Sequence, residues 1–245
     1  VAIGNSALGS AKQDGTVSST NREVKRNIAI GTDALAGGTL TGTNHLEANI
    51  AIGYQAMDAT GANNQIGTIA IGTSALSALT SGAKNVAIGY ESMLYQTDGE
   101  NNTAIGNSAL RNADNGESDN VVIGREAGYS INHASSDNNV IIGSAAGTGG
   151  LAAFTGNVAI GFRAMNSTVD NAQTGTIAIG TDALTALTSG ESNLAIGYES
   201  LKSLTGGHSN VAIGYSAMDN AQHSEQHNIS IGKDSMGSVS EGGSG

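Results

Sequence analysis

The sequence predicts a mainly β protein wound as a parallel β-solenoid, and three observations carry that prediction. A short motif, in its commonest form Asn-Val-Ala-Ile-Gly, recurs thirteen times. It ends at Gly4, Gly31, Gly53, Gly72, Gly89, Gly106, Gly124, Gly143, Gly161, Gly180, Gly197, Gly214 and Gly232. Successive glycines lie 27, 22, 19, 17, 17, 18, 19, 18, 19, 17, 17 and 18 residues apart. So short and steady a period means small units stacked on one another, about 13 coils with a 17–19-residue period. Leu, Ile, Val and Phe make up just under a fifth of the chain, which with a net charge of -11 sits near the composition of disordered proteins. Those residues are gathered in the motif, where stacking would bury them.

Each coil opens with a strand of the form Val/Ile-Ala-Ile. Side chains alternate along a strand, so its first and third residues share one face and Ala takes the other. The larger pair is expected to fill the coil. The glycine that follows marks a turn that needs positive φ or has no room for a Cβ. A second limb comes next. Asp182-Ala183-Leu184-Thr185-Ala186-Leu187-Thr188-Ser189-Gly190 fits one helical turn, while Asn107-Ser108-Ala109-Leu110 fits a short strand equally well. A polar loop closes the coil. The Asn ahead of the strand (Asn27, Asn49, Asn85, Asn120, Asn157, Asn193, Asn210) can bond to turn backbone, and stacked copies would form a ladder. Thr68 and Thr176 replace it at matching places.

The chain divides into irregular coils at 1–48, a regular stretch at 49–236 and a linker-like tail at 237–245. Asn21 to Arg26 and Thr39 to Glu47 read as bulging loops. Within the regular stretch, 49–124 returns as 157–232, offset by 108 residues. The coils ending at Gly124 and Gly143 drift from the pattern. The chain opens inside a copy of the motif, as a fragment of a longer protein would.

Because Ala is apolar too, both strand faces are expected to be covered. A column of small residues permits close approach between chains. Ala51, Ala70, Ala87, Ala104, Ala159, Ala178, Ala195 and Ala212 are therefore the candidate subunit contacts. The column swells at Val122 and Ile141.

Composition narrows the function. The acidic balance disfavours nucleic acid and anionic membrane, which want a basic face. No apolar run reaches transmembrane length. There is no Cys, hence no disulfide and no thiolate metal site. No cofactor motif is found. A carboxylate column two residues past the glycine (Asp33, Glu91, Glu126, Asp182, Glu199, Asp234) repeats with the coil, as a solvated face does. None of the histidines lies beside a recurring Ser, and His223-x-x-x-His227 would chelate only on a helix. No enzyme is predicted. Asp114, Glu117 and Asp119 lie in an oxygen-rich loop and are weak metal candidates, against the plainer reading of an acidic loop. Tyr54, Tyr90, Phe162, Tyr198 and Tyr215 directly follow their glycines. They either cover the edge of the core or form a surface that stacks on sugar rings, and are the ligand-binding candidates.

The run Asn-Val-Ala-Ile-Gly-x-x-Ala-Leu resembles the repeat of YadA-type trimeric adhesin heads and the shaft repeats of tailed-phage tail fibres. The resemblance covers nearly the whole chain. It implies a left-handed β-roll, three chains around one axis, and a role in adhesion at an extracellular or virion surface. The partner it implies is the chain itself as a homotrimer, with a cell-surface glycan or receptor beyond it. The adhesin repeat is shorter and usually carries Ser where this chain has Asn. The longer coil favours the phage-fibre side. The alternatives are a glycan-binding module using the aromatic column and, below it, a solenoid polysaccharide-degrading enzyme.

Overall fold

The computed structural model describes residues 1–9, 23–37, 45–60, 64–114, 116–167, 171–221 and 225–237. It is a parallel β-solenoid in two compact units, Val1–Asp119 and Asn120–Gly245. The boundary falls inside the predicted regular stretch 49–236, near the end of the first copy (49–124) of the duplicated block. Of the predicted tail 237–245, only Gly237 belongs to the described residues.

In the first unit the strands are β1 (Ala2–Ile3), β2 (Glu23–Lys25), β3 (Ile28–Ile30), β4 (His45–Glu47), β5 (Ile50–Ile52), β6 (Gln65–Ile66), β7 (Ile69–Ile71), β8 (Val86–Ile88) and β9 (Thr103–Ile105). The motif strands pair in parallel in the order β1-β3-β5-β7-β8-β9. Their register is strict: Ala51 faces Ala70, and Ala70 faces Ala87. A second ladder, β2-β4-β6, runs beside it. Glu23–Lys25 and His45–Glu47 are thus paired strands, which corrects their reading as loops. The charges there are cross-strand neighbours, with Glu47 accepting from Arg26 at 2.9 Å and 3.6 Å from Lys25.

The second unit contains β10 (Val121–Ile123), β11 (Val140–Ile142), β12 (Phe154–Thr155), β13 (Val158–Ile160), β14 (Gln173–Thr174), β15 (Ile177–Ile179), β16 (Leu194–Ile196), β17 (Val211–Ile213) and β18 (Ile229–Ile231). Its motif strands pair in the order β10-β11-β13-β15-β16-β17-β18, and β12 pairs with β14.

The strand faces are the reverse of those predicted. Ala51, Ala70, Ala87, Ala104, Ala159, Ala178, Ala195 and Ala212 are all 0% exposed, whereas the flanking Val and Ile residues are half-buried or exposed. Ala points into the coil because the second limb already fills it. That limb contributes a buried Ala or Ser and a buried Leu or Met, such as Ser92 with Met93 or Ala109 with Leu110. A larger strand residue fits only where the limb gives way. Val122 and Ile141 are fully buried, and in their coils the Leu/Met position is Gly128 and Gly147. A Cβ built on Gly147 would lie 3.1–3.3 Å from three atoms of the Ile141 side chain.

The second limb is neither strand nor helical turn. Its second and fourth residues after the glycine are left-handed, for example Asp182 at φ 55° and Leu184 at φ 51°. Left-handed backbone is costly for a residue with a Cβ. Here hydrogen bonds between coils hold it. Asp182 N–H donates to Phe162 O at 2.9 Å in the preceding coil, and Leu184 N–H donates to Ser200 O at 3.0 Å in the following one.

The motif glycines are required on two counts. Gly31 has φ +131°, and a Cβ there would sit 2.5 Å from Gly53 O. Gly161, at φ +134°, meets Gly180 O in the same way.

The predicted Asn ladder is present. Asn85 Nδ2 donates to Gly99 O at 2.7 Å, and Asn85 Oδ1 accepts from Asn102 N–H at 2.9 Å. Asn139 and Asn228 belong to the same column. Three residues before each ladder position lies an inward site that explains the period. In 17-residue coils it is Gly82, Gly99, Gly190 or Gly207, each stacked on the backbone of the next coil. In longer coils it carries a buried side chain: Leu46, Gln65, Glu117, Phe154 or Gln173.

Candidate functional site

With Ala inside the coil, the apolar surface is formed by the first and third strand residues. The third is Ile in all thirteen copies, while the first varies among Val, Ile, Leu and Thr. In the middle of each unit these side chains are half-buried, as in the patterns of β5, β7, β15 and β17. The chain therefore covers one face of its motif sheet and leaves the other apolar and open. Parallel sheets are normally covered on both faces. The Ala candidates cannot touch another chain without opening their own coil, and the Ile column takes their place as the candidate contact.

The aromatic column stands on the surface. Tyr54, Tyr90, Phe162, Tyr198 and Tyr215 are 50%, 50%, 47%, 43% and 51% exposed, which is too open for covers on the core edge. Backbone bonds keep the column in register: Ser74 N–H donates to Tyr54 O, Glu91 N–H to Thr73 O and Ser108 N–H to Tyr90 O. Tyr198 and Tyr215, one coil apart, stack with centroids 5.1 Å apart and planes inclined by 14°. Cations lie over three exposed rings: Arg163 over Phe162 at 5.9 Å, Lys233 over Tyr215 at 5.6 Å and Arg111 over Tyr95 at 4.9 Å.

The carboxylate column is laced with cations. Arg111 Nε donates to Glu91 at 2.7 Å and holds its carboxyl below the usual carboxylate range. Lys202 Nζ donates to Glu199 at 2.6 Å with the same effect. Hydrogen bonds to these carboxylates raise the phenols of Tyr90 and Tyr198 above their ordinary value. Arg163 approaches Asp182 at 3.4 Å, Arg125 approaches Glu126 at 2.7 Å and Lys233 approaches Asp234 at 3.7 Å. A carboxylate held this way is a turn residue with a counter-charge.

The weak metal candidates are split apart. Glu117 is fully buried, Asp119 is exposed at a left-handed corner (φ 59°), and Asp114 is half-buried. Among the described residues, no three His, Cys, Asp or Glu side chains converge as metal ligands. His223 lies outside the described residues, and His227 occupies a left-handed corner at φ 58°. Among the described residues no helix is long and apolar enough to cross a membrane.

Comparison with protein-family models, with characterised proteins and with solved structures finds no match. The open Ile column was missed by sequence reasoning. Its signal was there in the invariance of the third strand residue beside a variable first one.

Proposed function

We propose that the chain is a structural and adhesive fibre segment that assembles laterally with copies of itself, three around an axis, and supports receptor attachment at an extracellular or virion surface. One observation carries the reading: an Ile column, invariant through thirteen copies, that the single chain leaves half-exposed. A surface free of selection for contact tolerates polar residues, and an apolar strip repeated at every coil is suited to an identical partner in register. The resemblance to trimeric adhesin heads and phage-fibre shafts supplies the number three. The role is mechanical and not catalytic; the cation-paired carboxylates support that part of the reading.

The mass in solution tests it, by light scattering on the wild type and on Ile71→Lys/Ile88→Lys. The wild type is expected at three chains and the variant at one, with the circular dichroism of the coil retained. A wild-type monomer overturns the assembly, and a trimeric variant moves the contact elsewhere. Ala87→Leu is the companion measurement. Overfilling the coil should destabilise the single chain by about 1–3 kcal/mol whatever its assembly state.

A further inference from the structure

The position after the glycine carries the same triplet twice. Tyr54, Thr73 and Tyr90 in the first unit correspond to Phe162, Thr181 and Tyr198 in the second. Each triplet is aromatic, Thr, aromatic on three successive coils in register. Rings one coil apart stack directly, as Tyr198 and Tyr215 do at 5.1 Å. Rings two coils apart stand roughly 10 Å from each other, twice the strand spacing. With the same attitude they bound a slot one ring thick, floored by Thr. An inserted ring would sit at the spacing the chain itself uses for Tyr198 on Tyr215.

Beyond Phe162 in place of Tyr54, the two slots differ in the charge beside them. In the second unit the Arg163 guanidinium lies 5.9 Å from the Phe162 centroid and is held by Asp182 at 3.4 Å. Asp182 belongs to the coil of Thr181, so the guanidinium spans from the Phe162 ring to the next coil. In the first unit the corresponding residues are Gln55 and Ser74, both uncharged. There the walls are two half-exposed tyrosines, the floor is the exposed Thr73, and the Gln55 amide and the Ser74 hydroxyl stand beside them, with the Arg111-paired Glu91 carboxylate bonded to Tyr90.

We propose that the Tyr54–Thr73–Tyr90 slot binds one pyranose residue of a glycan, sandwiched between the two rings. A pyranose presents C–H groups on its faces and hydroxyls around its edge. The slot offers aromatic walls to the faces and hydroxyl and amide partners to the edge. A flat apolar ring would leave the polar floor and rim unpaired, and a guanidinium would meet Ser74 where Asp182 stands in the second unit and a Glu91 carboxylate already held by Arg111. In the second unit Arg163, bridging the Phe162 ring and Asp182, is placed to compete for the matching site. The inference does not rest on self-association and holds for one chain or three.

The test is binding of the full chain to an array of defined hexopyranose oligosaccharides, followed by titration of the strongest probe. Thr73→Phe fills the slot with a ring of the chain's own and is expected to weaken binding at least tenfold with an unchanged melting temperature. Tyr54→Ala reads the same loss should the first variant fold poorly. Tyr95→Ala removes an exposed tyrosine outside the column and should bind as the wild type does. Arg163→Gln should open the second slot and raise the stoichiometry from one to two per chain. No binding anywhere on the array, or binding that survives both Thr73→Phe and Tyr54→Ala, overturns the proposal. So does a slot that takes benzyl alcohol or N-acetyl-argininamide and no sugar.

Discussion

Ile141 occupies the space that Gly147 vacates: a Cβ added to Gly147 would lie 3.1 Å from Ile141 Cγ2. Regular coils solve the same packing problem the other way, with Ala on the strand and Leu or Met on the limb. The two solutions should be interchangeable only as pairs. Gly147→Leu alone is expected to cost about 1–3 kcal/mol from overpacking. Ile141→Ala alone should cost about 2–5 kcal/mol from the cavity. The double variant rebuilds the regular coil and should melt close to the wild type. The left-handed backbone at Gly147 (φ +46°) is no obstacle, since Leu110 adopts φ 48° at the equivalent place. Additive losses in a double-mutant cycle by urea denaturation would show that the two sites are not coupled.

Gln96 is fully buried, and neither its Oε1 nor its Nε2 has a hydrogen-bond partner. Its counterpart 108 residues on is Leu204, also fully buried. An unsatisfied buried amide costs more than the apolar group it replaces. Gln96→Leu should therefore stabilise the fold by about 1–2 kcal/mol, raising the urea midpoint at unchanged slope. A lower midpoint would mean that Gln96 has a partner during folding or in assembly.

The Asn ladder is interrupted at Thr68, whose buried Oγ1 has no partner, and at Thr176, where Asn193 N–H reaches Oγ1 only at 3.5 Å. Asn85→Ala removes the buried bond to Gly99 O and the one accepted from Asn102 N–H. The expected loss is about 1–3 kcal/mol. Thr68→Asn extends the ladder toward Gly82 O and should gain about 1 kcal/mol. Hydrogen exchange at Asn102 N–H reports the first change directly. Protection that is unaltered in Asn85→Ala would refute the assignment.

Arg111 holds the Glu91 carboxyl below its ordinary value. A depressed folded-state value makes the contribution of Glu91 fully present above the unfolded value and lost as pH falls through the lower, folded one. The melting temperature of the wild type should exceed that of Glu91→Gln near neutral pH. The difference should close as the solution is acidified below the ordinary carboxylate range. A difference independent of pH would assign the effect to packing and not to the ion pair.

The glycine turns, the Asn ladder and the parallel stacking were all legible in the sequence, because each depends on a residue type that little else can replace. The inside of the coil was not. Strand alternation says which residues share a face, and only the volume already taken by Met93 or Leu110 decides which face points in. The exchange of Ala for Ile141 together with Leu for Gly147 held that information as a paired departure from the pattern. The left-handed Leu and Met residues could not be read, because their intrinsic preference opposes the conformation that stacking imposes. The aromatic column was visible as a column; its exposure depends on the turn geometry at the preceding glycine.

That opposition between preference and placement has a kinetic side. A left-handed residue with a side chain costs on the order of 1–2 kcal/mol, and each regular second limb holds two of them, such as Asp182 and Leu184. Their N–H groups find acceptors only on the coils before and behind. A single coil is thus unable to form by itself and must be templated by one already made. Folding should advance within a unit as a front, slow to start and quick to extend, in the manner of crystal growth.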